Sequence, residues 1–273
     1  MQLLRLSYSF VYLIALVLGQ TITGDVVTYG NVIFIGDTTI NPGSSWSIVN
    51  VPIQTFVGNL YNYGNFFVSS NNPLISLTIT FVDAFQQLTN TGNIVFQSTD
   101  GISPPVYTLT NTAFDNSGSI WFSSVNSLLN NVYSILAPVW TNQASGNIYL
   151  YSDSRGENNV ALGGILTDIT NEGQICLVNE AWKQSTTVSG SGCVDVGENA
   201  NLWIANSLLS WSSTQTIKLS SSTSQVRVEA LSFSQTFLVA GYGNGNVLGL
   251  SLPVTSFNYN SGTGILTLTN IIL

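Results

Sequence analysis

The sequence predicts an all-β protein: a right-handed parallel β-helix, that is, a β-solenoid with about 27 residues per coil, followed by a small C-terminal β-sandwich-like cap. Three observations predict this fold. A motif recurs in register, apolar residues alternate inside the motif, and the composition is poor in charge. Of the 273 residues, 44% are hydrophobic and 7% are charged, whereas an average globular domain has about 25% charged residues.

The motif recurs seven times without gaps. Each copy has a small residue, a polar residue and then an apolar-x-apolar triplet. The spacings between the small residues are 34, 28, 26, 28, 27 and 27 residues. A period near 27 with one strand start per period fits a coil of about three short strands. The copies are residues 28–36, 62–70, 90–98, 116–124, 144–152, 171–179 and 198–206, and a weaker eighth copy lies at 225–228.

Alternation inside each triplet predicts the core, because its first and third residues share one face of a strand. Stacked coils would place these residues in parallel in-register columns about 4.8 Å apart. An immunoglobulin-like sandwich would instead need turn signals every 8–12 residues or so, and would not keep one motif in register. The two predicted inward columns are Val32, Phe66, Ile94, Ile120, Ile148, Ile175, Leu202 and Phe34, Val68, Phe96, Phe122, Leu150, Leu177, Ile204.

The motif also predicts how the corners of the coils are built. The small residues Gly30, Gly64, Gly92, Gly118, Gly146 and Gly173, with Ala200 in the last copy, are expected to turn the chain, the glycines with positive φ. Asparagines near these positions can stack as amide ladders. One set is Asn62, Asn90, Asn116 and Asn171, and the other is Asn65, Asn93, Asn147 and Asn201.

The chain divides into three predicted segments. Residues 1–19 have an early Arg5 and an apolar run at 10–18, as in a secretory signal peptide, with Gln20 as the expected mature start. Residues 20–206 are the predicted solenoid, of which 20–50 would cap the N-terminal end. Residues 207–273 are the predicted β cap at the other end. No further stretch of about 18 apolar residues occurs, so we expect no transmembrane segment in the mature, secreted chain.

The two cysteines would lie in an oxidising compartment. Cys176 and Cys193 are therefore expected to form a disulfide, closing a loop of about 17 residues worth roughly 3 kcal/mol. The alternative is a pair of free buried thiols.

Charge and composition restrict the functional classes. The chain has no histidine, which removes Ser-His and Cys-His nucleophiles and the usual zinc sites. A net charge of −8 with five Lys and Arg residues makes nucleic acid a poor partner. We expect a monomer without cofactor or metal.

Close carboxylate pairs are the remaining place for catalysis. They are Asp153/Glu157, with Arg155 beside them, Asp168/Glu172 and Asp195/Glu198. None recurs on a strand column, and most lie in loop-like runs, so solvated turn residues are the natural interpretation. A calcium site at 153–158 would lack EF-hand spacing. A glycan-cleaving enzyme needs two carboxyls across a groove and stays a minor alternative.

The outward middle residue of each triplet is the main candidate site. A solvated face should carry polar residues, whereas this column is apolar, and four of its members are aromatic. We predict that Phe67, Trp121, Tyr149 and Trp203 bind a ligand, such as the faces of sugar rings, a wall polymer or another hydrophobic surface. The alternative is that a loop covers the column or that the rings only stack along the ladder. The full column is Ile33, Phe67, Val95, Trp121, Tyr149, Cys176 and Trp203.

Taken together, the leader, the repeated N-x-G-x-I coils, the cysteine pair and two tail segments suggest a family. The tail segments are GYGNGNVLGL at 241–250 and FNYNSGTGILTL at 257–268. The sequence resembles the N-terminal domain of the hyphally regulated cell wall proteins, the Hyr/Iff group of Candida-type yeasts.

This resemblance implies a β-helix with a small β-sandwich, displayed outermost on a fungal wall adhesin. Such proteins continue into a Ser/Thr-rich, O-mannosylated stalk and a GPI signal, and have roles in adhesion, biofilm and host interaction. The sequence up to Leu273 has no such stalk or signal. The resemblance, the charge-poor solenoid and the outward aromatic column together predict a non-enzymatic adhesin that binds a cell wall polysaccharide or a host or abiotic surface. The alternative is a structural wall module without a ligand.

Overall fold

A computed structural model describes residues 15–30, 32–82, 86–127, 129–153, 158–164, 167–205, 209–229 and 235–269. Every regular element in these ranges is a β-strand, which confirms the predicted all-β class. The strands are β1 (Ala15–Ile22), β2 (Asp25–Tyr29), β3 (Val32–Ile40), β4 (Ser45–Val49), β5 (Ile53–Val57), β6 (Leu60–Asn62), β7 (Asn65–Ser70), β8 (Thr78–Val82), β9 (Gln87–Asn90), β10 (Asn93–Thr99), β11 (Val106–Thr110), β12 (Ala113–Asn116), β13 (Ser119–Val125), β14 (Val132–Leu136), β15 (Val139–Asn142), β16 (Asn147–Ser152), β17 (Asn159–Leu162), β18 (Asp168–Asn171), β19 (Gln174–Val178), β20 (Ala181–Lys183), β21 (Thr187–Ser189), β22 (Cys193–Val196), β23 (Asn201–Ile204), β24 (Thr216–Leu219), β25 (Gln225–Val228), β26 (Leu238–Ala240), β27 (Val247–Leu250), β28 (Ser256–Asn260) and β29 (Ile265–Thr269).

The strands form a parallel β-solenoid, as predicted. A complete coil, such as β7, β8 and β9, gives its first strand to a ten-stranded sheet and its other two to a seventeen-stranded sheet. Successive coils pair in parallel and in register, so that Ile94 lies between Phe66 and Ile120. The right-handed sense of the coil stays a prediction.

Inward side chains of the two sheets share one continuous core. Ring stacking from coil to coil fills much of it: the ring centroids of Phe96 and Phe122 are 5.1 Å apart, and those of Tyr107 and Tyr133 are 4.9 Å apart. All four side chains are fully buried. Stacked and edge-to-face aromatic pairs of this kind stabilise beyond the area that they bury.

The apolar triplets of the first and last copies of the motif do not lie in the ten-stranded sheet. Residues 28–36 lead into β3 and residues 198–206 contain β23, and both of these strands pair in the seventeen-stranded sheet. Their expected places are taken by β4 and β22. Phe34, Leu202 and Ile204 are still buried. An apolar-x-apolar triplet indicates which face of a strand is buried, but both sheets face the same core, so it does not indicate the sheet.

The motif glycines have a different role from the one predicted. Of the predicted glycines only Gly30 has positive φ, at 87°. In Gly92, a Cβ atom would collide with the carbonyl oxygen of Gly64, and in Gly118 with that of Gly92. Glycine is required here because the backbones of successive coils touch at this corner, rather than because the chain adopts a left-handed conformation.

The first predicted amide ladder is confirmed and runs through the interior. The Nδ2 groups of Asn62, Asn90, Asn116 and Asn142 donate to the Oδ1 atom of the next asparagine at 2.7, 2.7, 2.8 and 2.8 Å, ending at Asn171. All five side chains are fully buried. Asn142 is the member that the motif missed. Asn171 then donates to Oε1 of Gln215 at 3.1 Å, which continues the ladder across the shorter coil that follows.

The second predicted ladder is short. Asn93 donates to Asn65 at 2.8 Å, but Asn147 donates to the carbonyl of Ser145, and Asn201 lies in the other sheet. These positions face solvent, where water competes for each amide and a continuous ladder gains little.

The solenoid extends well beyond the predicted boundary at residue 206. β24 and β26 continue the ten-stranded sheet, and β25 and β27 the other sheet, all in parallel, up to Leu250. Only the hairpin of β28 and β29 is antiparallel among the described strands. It is exposed on both faces, with Phe257 at 76%. Its predicted capping role therefore stays a prediction. Because the loops in this region vary in length, the sequence period is lost, although the strands still pair in parallel with those of the preceding coil.

The N-terminal region also joins the stack. β2, β3 and β4 are ordinary parallel strands of the solenoid, so residues 20–50 form coils rather than a separate cap. β1 pairs with β3 and includes residues 15–19 of the predicted signal peptide. Residues 1–14 lie outside the described ranges, and cleavage after Gly19 stays a prediction.

We expect Asn116→Ala to destabilise the protein by about 2 kcal/mol or more, because it removes the acceptor of Asn90 and the donor to Asn142 inside the core. The measurement is the midpoint of chemical denaturation. Asn93→Ala, which removes an exposed amide bond, is the matched control and should change stability by less than about 0.5 kcal/mol. Equal effects of the two variants would contradict the importance of the buried ladder.

Gly92→Ala should destabilise by about 3 kcal/mol or more, since the added methyl group meets backbone of the preceding coil that cannot move aside. Gly24→Ala is the control, because a Cβ atom there meets nothing within 4 Å. Thermal unfolding of the two variants tests this. A Gly92→Ala protein as stable as Gly24→Ala would show that the coils do not approach as closely as described.

Candidate functional site

The outward column of the ten-stranded sheet brings together three of the four predicted ligand residues. Phe67 lies opposite Val95, Val95 opposite Trp121, and Trp121 opposite Tyr149, on four successive strands from β7 to β16. Alternation along each strand directs these side chains outward, since their neighbours Phe66, Ile94, Ile120 and Ile148 are fully buried.

The rings of Trp121 and Tyr149 stack on each other. Their centroids are 3.8 Å apart and their planes differ by 18°. Each ring thus covers one face of the other, as the ladder alternative expected. Trp121 nevertheless keeps 44% of its surface exposed. The column presents mainly ring edges, rather than a row of free ring faces.

Tyr151 is a member of the same surface that the sequence analysis missed. It follows Tyr149 by two residues on β16, so the two side chains share a face, and it is 39% exposed. The run Tyr-Leu-Tyr at 149–151 indicates two outward tyrosines, but the motif includes only one outward residue per copy. We call Phe67, Val95, Trp121, Tyr149 and Tyr151 the aromatic patch.

Uncharged polar residues border the aromatic patch. In-register outward positions on one side are Asn65, Asn93, Ser119, Asn147 and Gln174, and on the other side Ser69, Gln97 and Ser123. Amides and hydroxyls beside aromatic rings offer both hydrogen-bond partners and apolar contact to a neutral ligand. Charged residues lie further along the sheet in both directions. Asp25 on β2 accepts from the Ser45 hydroxyl at 2.6 Å, and Lys218 donates to Asp195 at 2.7 Å.

Trp203 is not part of this column. It lies on β23 of the other sheet, opposite Lys183 and Arg227. The Lys183 Nζ atom is 5.0 Å from the ring centroid and the Arg227 Cζ atom is 5.9 Å from it. Cation–π attraction from both sides explains why an aromatic ring lies at this position without a ligand. The predicted grouping of Trp203 with the other three residues is therefore corrected, because the last motif copy lies in the other sheet.

Both cysteines have free thiols in the structure and are half-buried. Cys193 lies opposite Gln174, two residues along the strand from Cys176, so the offset places the two Cα atoms about 8 Å apart. A disulfide spans at most about 7 Å. Burial, followed by the nearby Asp195 carboxylate, raises the pKa of Cys176 to about 12. The predicted disulfide stays a prediction and needs local backbone movement.

Asp153, Glu172 and Asp195 of the candidate catalytic pairs accept structural hydrogen bonds, whereas Asp168 and Glu198 are exposed. Glu172 accepts hydrogen bonds from the Ser191 hydroxyl at 2.6 Å and the Ser191 amide at 3.0 Å, which lower its pKa. Asp153 accepts from the Asn126 amide at 2.6 Å. Arg155 and Glu157 lie outside the described residues. No group of three or more potential metal-ligating side chains occurs in the part of the chain that the structure describes.

Glu180 is a buried acid that the sequence analysis did not single out. It is 1% exposed, and Nδ2 of Asn131 contacts its two carboxyl oxygens at 2.9 and 3.2 Å. Burial raises the pKa of Glu180 well above its ordinary value, while the bond from Asn131 opposes the shift. A raised pKa means that the folded state favours the neutral acid.

All these features define a class of protein: an elongated β-solenoid whose distinctive surface is an uncharged aromatic patch. In the described ranges no helix is long and apolar enough to span a bilayer. The chain belongs to the family described as "Hyphally regulated cell wall protein N-terminal", whose model matches residues 10–273.

Relatives in Candida albicans agree with this assignment. The chain is 37% identical to Cell wall protein RBR3 over 97% of its own length and 17% of the relative's. It is 38% identical to Hyphally regulated cell wall protein 4 over 96% of its own length and 22% of the relative's. The chain thus spans about a fifth of the curated relatives that it matches. The family supports a location in the cell wall, outside the cell.

We expect the stability of the fold to decrease as pH rises from about 4 towards neutrality, because of Glu180. Its folded pKa lies above its unfolded value near 4.3, so its contribution is complete below the unfolded pKa and is lost as pH rises through the folded pKa. The slope is at most about 1.4 kcal/mol per pH unit.

Glu180→Gln should raise stability at pH 7, leave it nearly unchanged at pH 4, and remove this part of the pH dependence. Denaturation curves at pH 4, 5, 6 and 7 measure it. Glu198→Gln, at an exposed position, is the control and should follow the unsubstituted protein. An unchanged slope in Glu180→Gln would contradict the role of the buried acid.

Proposed function

We propose that this chain is a non-enzymatic adhesive domain of a fungal cell wall protein. The observation that carries the proposal is the aromatic patch, where Trp121 is 44% exposed on an outward sheet face that has no charged residue from β7 to β19. A solvated sheet face has no need of such rings, and exposed apolar patches commonly mark interaction sites.

The ligand that fits this face is neutral. The patch offers ring edges, the hydroxyl groups of Tyr149 and Tyr151 and bordering amides, which together suit the hydroxyl and C–H groups of a wall or host polysaccharide. An apolar abiotic surface would use the rings alone. An anionic ligand would find no cation on the strands of this face from β7 to β19.

Further parts of the proposal come from the family. The relatives are named as cell wall proteins, and this chain matches about a fifth of their length. We propose that it is secreted through its leader and displayed at the outer end of a longer, GPI-anchored protein, with roles in biofilm and virulence. A non-enzymatic role is supported by the structural hydrogen bonds of Asp153, Glu172 and Asp195.

The test is adhesion of the purified chain to polystyrene, immobilised wall glucan and mannan, and host cells. Trp121→Ser with Tyr149→Ser should lower binding at least about tenfold, because the exposed stack is lost. Trp203→Ser is a matched control that removes an equal ring from the other sheet and should keep full binding. Binding no higher than that of an unrelated acidic protein would refute the proposal.

A structural wall module is the second candidate, favoured by the unbroken buried ladder from Asn62 to Asn171. Such a continuous interior makes a stiff rod that could act as a spacer or shield. Deletion that alters wall permeability while leaving adhesion unchanged would favour this role.

A further inference from the structure

A second outward face differs in chemistry from the aromatic patch. It is formed by the strands that open the seventeen-stranded side of each coil, β3, β5, β8 and β11, with the first residue of β14. On β5, β8 and β11, and on the part of β3 that pairs with β5, every outward residue is Ile, Val or Thr. We call this the Val/Thr face, and its members are Ile33, Ile35, Ile53, Thr55, Val57, Thr78, Thr80, Val82, Val106, Thr108, Thr110 and Val132.

The Val/Thr face is regular and accessible. Thr80 lies opposite Thr55 on one side and Thr108 on the other, which makes a threonine row through its centre. Ile53 is 52% exposed and Val82 is 51% exposed at its two edges. Branched side chains in straight rows, without amides or charges among them, are the surface chemistry that packs dry against a second sheet.

We propose that the Val/Thr face is a self-association surface, on which a second copy of this chain docks with its own Val/Thr face. Two sheets pack face to face about 10 Å apart when the rows of one fit between the rows of the other. Identical rows satisfy this condition under two-fold symmetry, because each face presents the same spacing to its partner.

Electrostatics favour a second copy at this face. Each chain has a net charge of −8, so two copies repel each other in most orientations. No residue of the Val/Thr face is a carboxylate. Asp37, two residues after Ile35 on β3, lies outside it and accepts hydrogen bonds from the backbone amide and the Nδ2 group of Asn59. The cations Lys183 and Arg227 lie further along the same sheet. Two acidic molecules therefore approach each other with less repulsion through this face than through surfaces that contain Asp or Glu.

The size of the face fixes the strength of the interaction. Its twelve outward positions, each about 4.8 Å by 6.6 Å, give roughly 380 Å² per copy. Stable protein interfaces bury about 800 Å² per partner. A single pair is thus weak, and the chain stays monomeric in dilute solution. Many copies on one surface would still bind another such surface through multivalency. This inference is independent of the aromatic patch and adds a contact between cells to the proposed adhesion to ligands.

The test uses beads that display the chain at high density through its C-terminal end. Beads with the unsubstituted chain should cluster, and clustering should increase with salt, because salt screens the repulsion between the acidic copies. Thr80→Lys with Thr108→Lys should lower the clustered fraction at least tenfold. These lysines reduce the net negative charge, so general electrostatics alone would predict the opposite change.

Thr141→Lys with Thr170→Lys is the matched control, because it adds the same charge to two neighbouring outward threonines, on β15 and β18. Its beads should cluster as the unsubstituted ones do. Ile53→Lys with Val82→Lys, at the most exposed apolar positions of the face, is a second variant that should also prevent clustering. Thermal melting verifies that each variant folds.

Unsubstituted beads that stay dispersed at all densities would overturn the proposal, as would equal clustering of the face variants and the control. Loss of polysaccharide binding in the face variants, with clustering retained, would also overturn it and assign the face to a glycan. The Trp121→Ser, Tyr149→Ser protein should still cluster, so failure of adhesion to ligands and failure of self-association are measured separately.

Discussion

The close stacking of identical coils is the constraint on which the rest of this structure depends. The backbones of adjacent coils touch at one corner, where a Cβ atom in Gly92 or Gly118 would collide with the preceding coil. Beside this corner, asparagines from Asn62 to Asn171 donate in one direction along the interior. Because a buried amide without a partner is costly, the ladder fixes the register of each coil on the next.

The same constraint explains the low charge of the chain. Parallel in-register strands place equivalent side chains about 4.8 Å apart, and two like charges at that distance repel by about 1 kcal/mol in water and more near a protein surface. The few charges on strand columns avoid this repulsion. Asp195 lies beside Lys218, and the ring of Trp203 separates Lys183 from Arg227. The low share of charged residues, 7% of the chain, therefore follows from the stacking of coils as much as from function.

Stacking also turns single residues into surfaces. One favourable outward residue repeated on successive coils becomes a stripe, as Phe67, Val95, Trp121 and Tyr149 do on one sheet and Thr55, Thr80 and Thr108 do on the other. The two stripes face different directions and differ in chemistry. A protein that acts at a cell surface can in this way have one face that binds a ligand and another that binds a second copy of the same chain.

The sequence by itself determined the all-β class, the solenoid, the buried residues of each triplet and four of the five asparagines of the buried ladder. A period near 27 and a period of two can be recognised without knowledge of any distant contact. It also grouped Phe67, Trp121 and Tyr149 correctly on one face. Only the tertiary structure decided that Trp203 lies on the other sheet, that Tyr151 belongs to the aromatic patch, and that the coils continue to Leu250. The reason is physical. Alternation of apolar residues shows which side of a strand is buried. The sheet that a strand joins depends instead on backbone pairing with the preceding coil, and the local sequence does not encode that pairing.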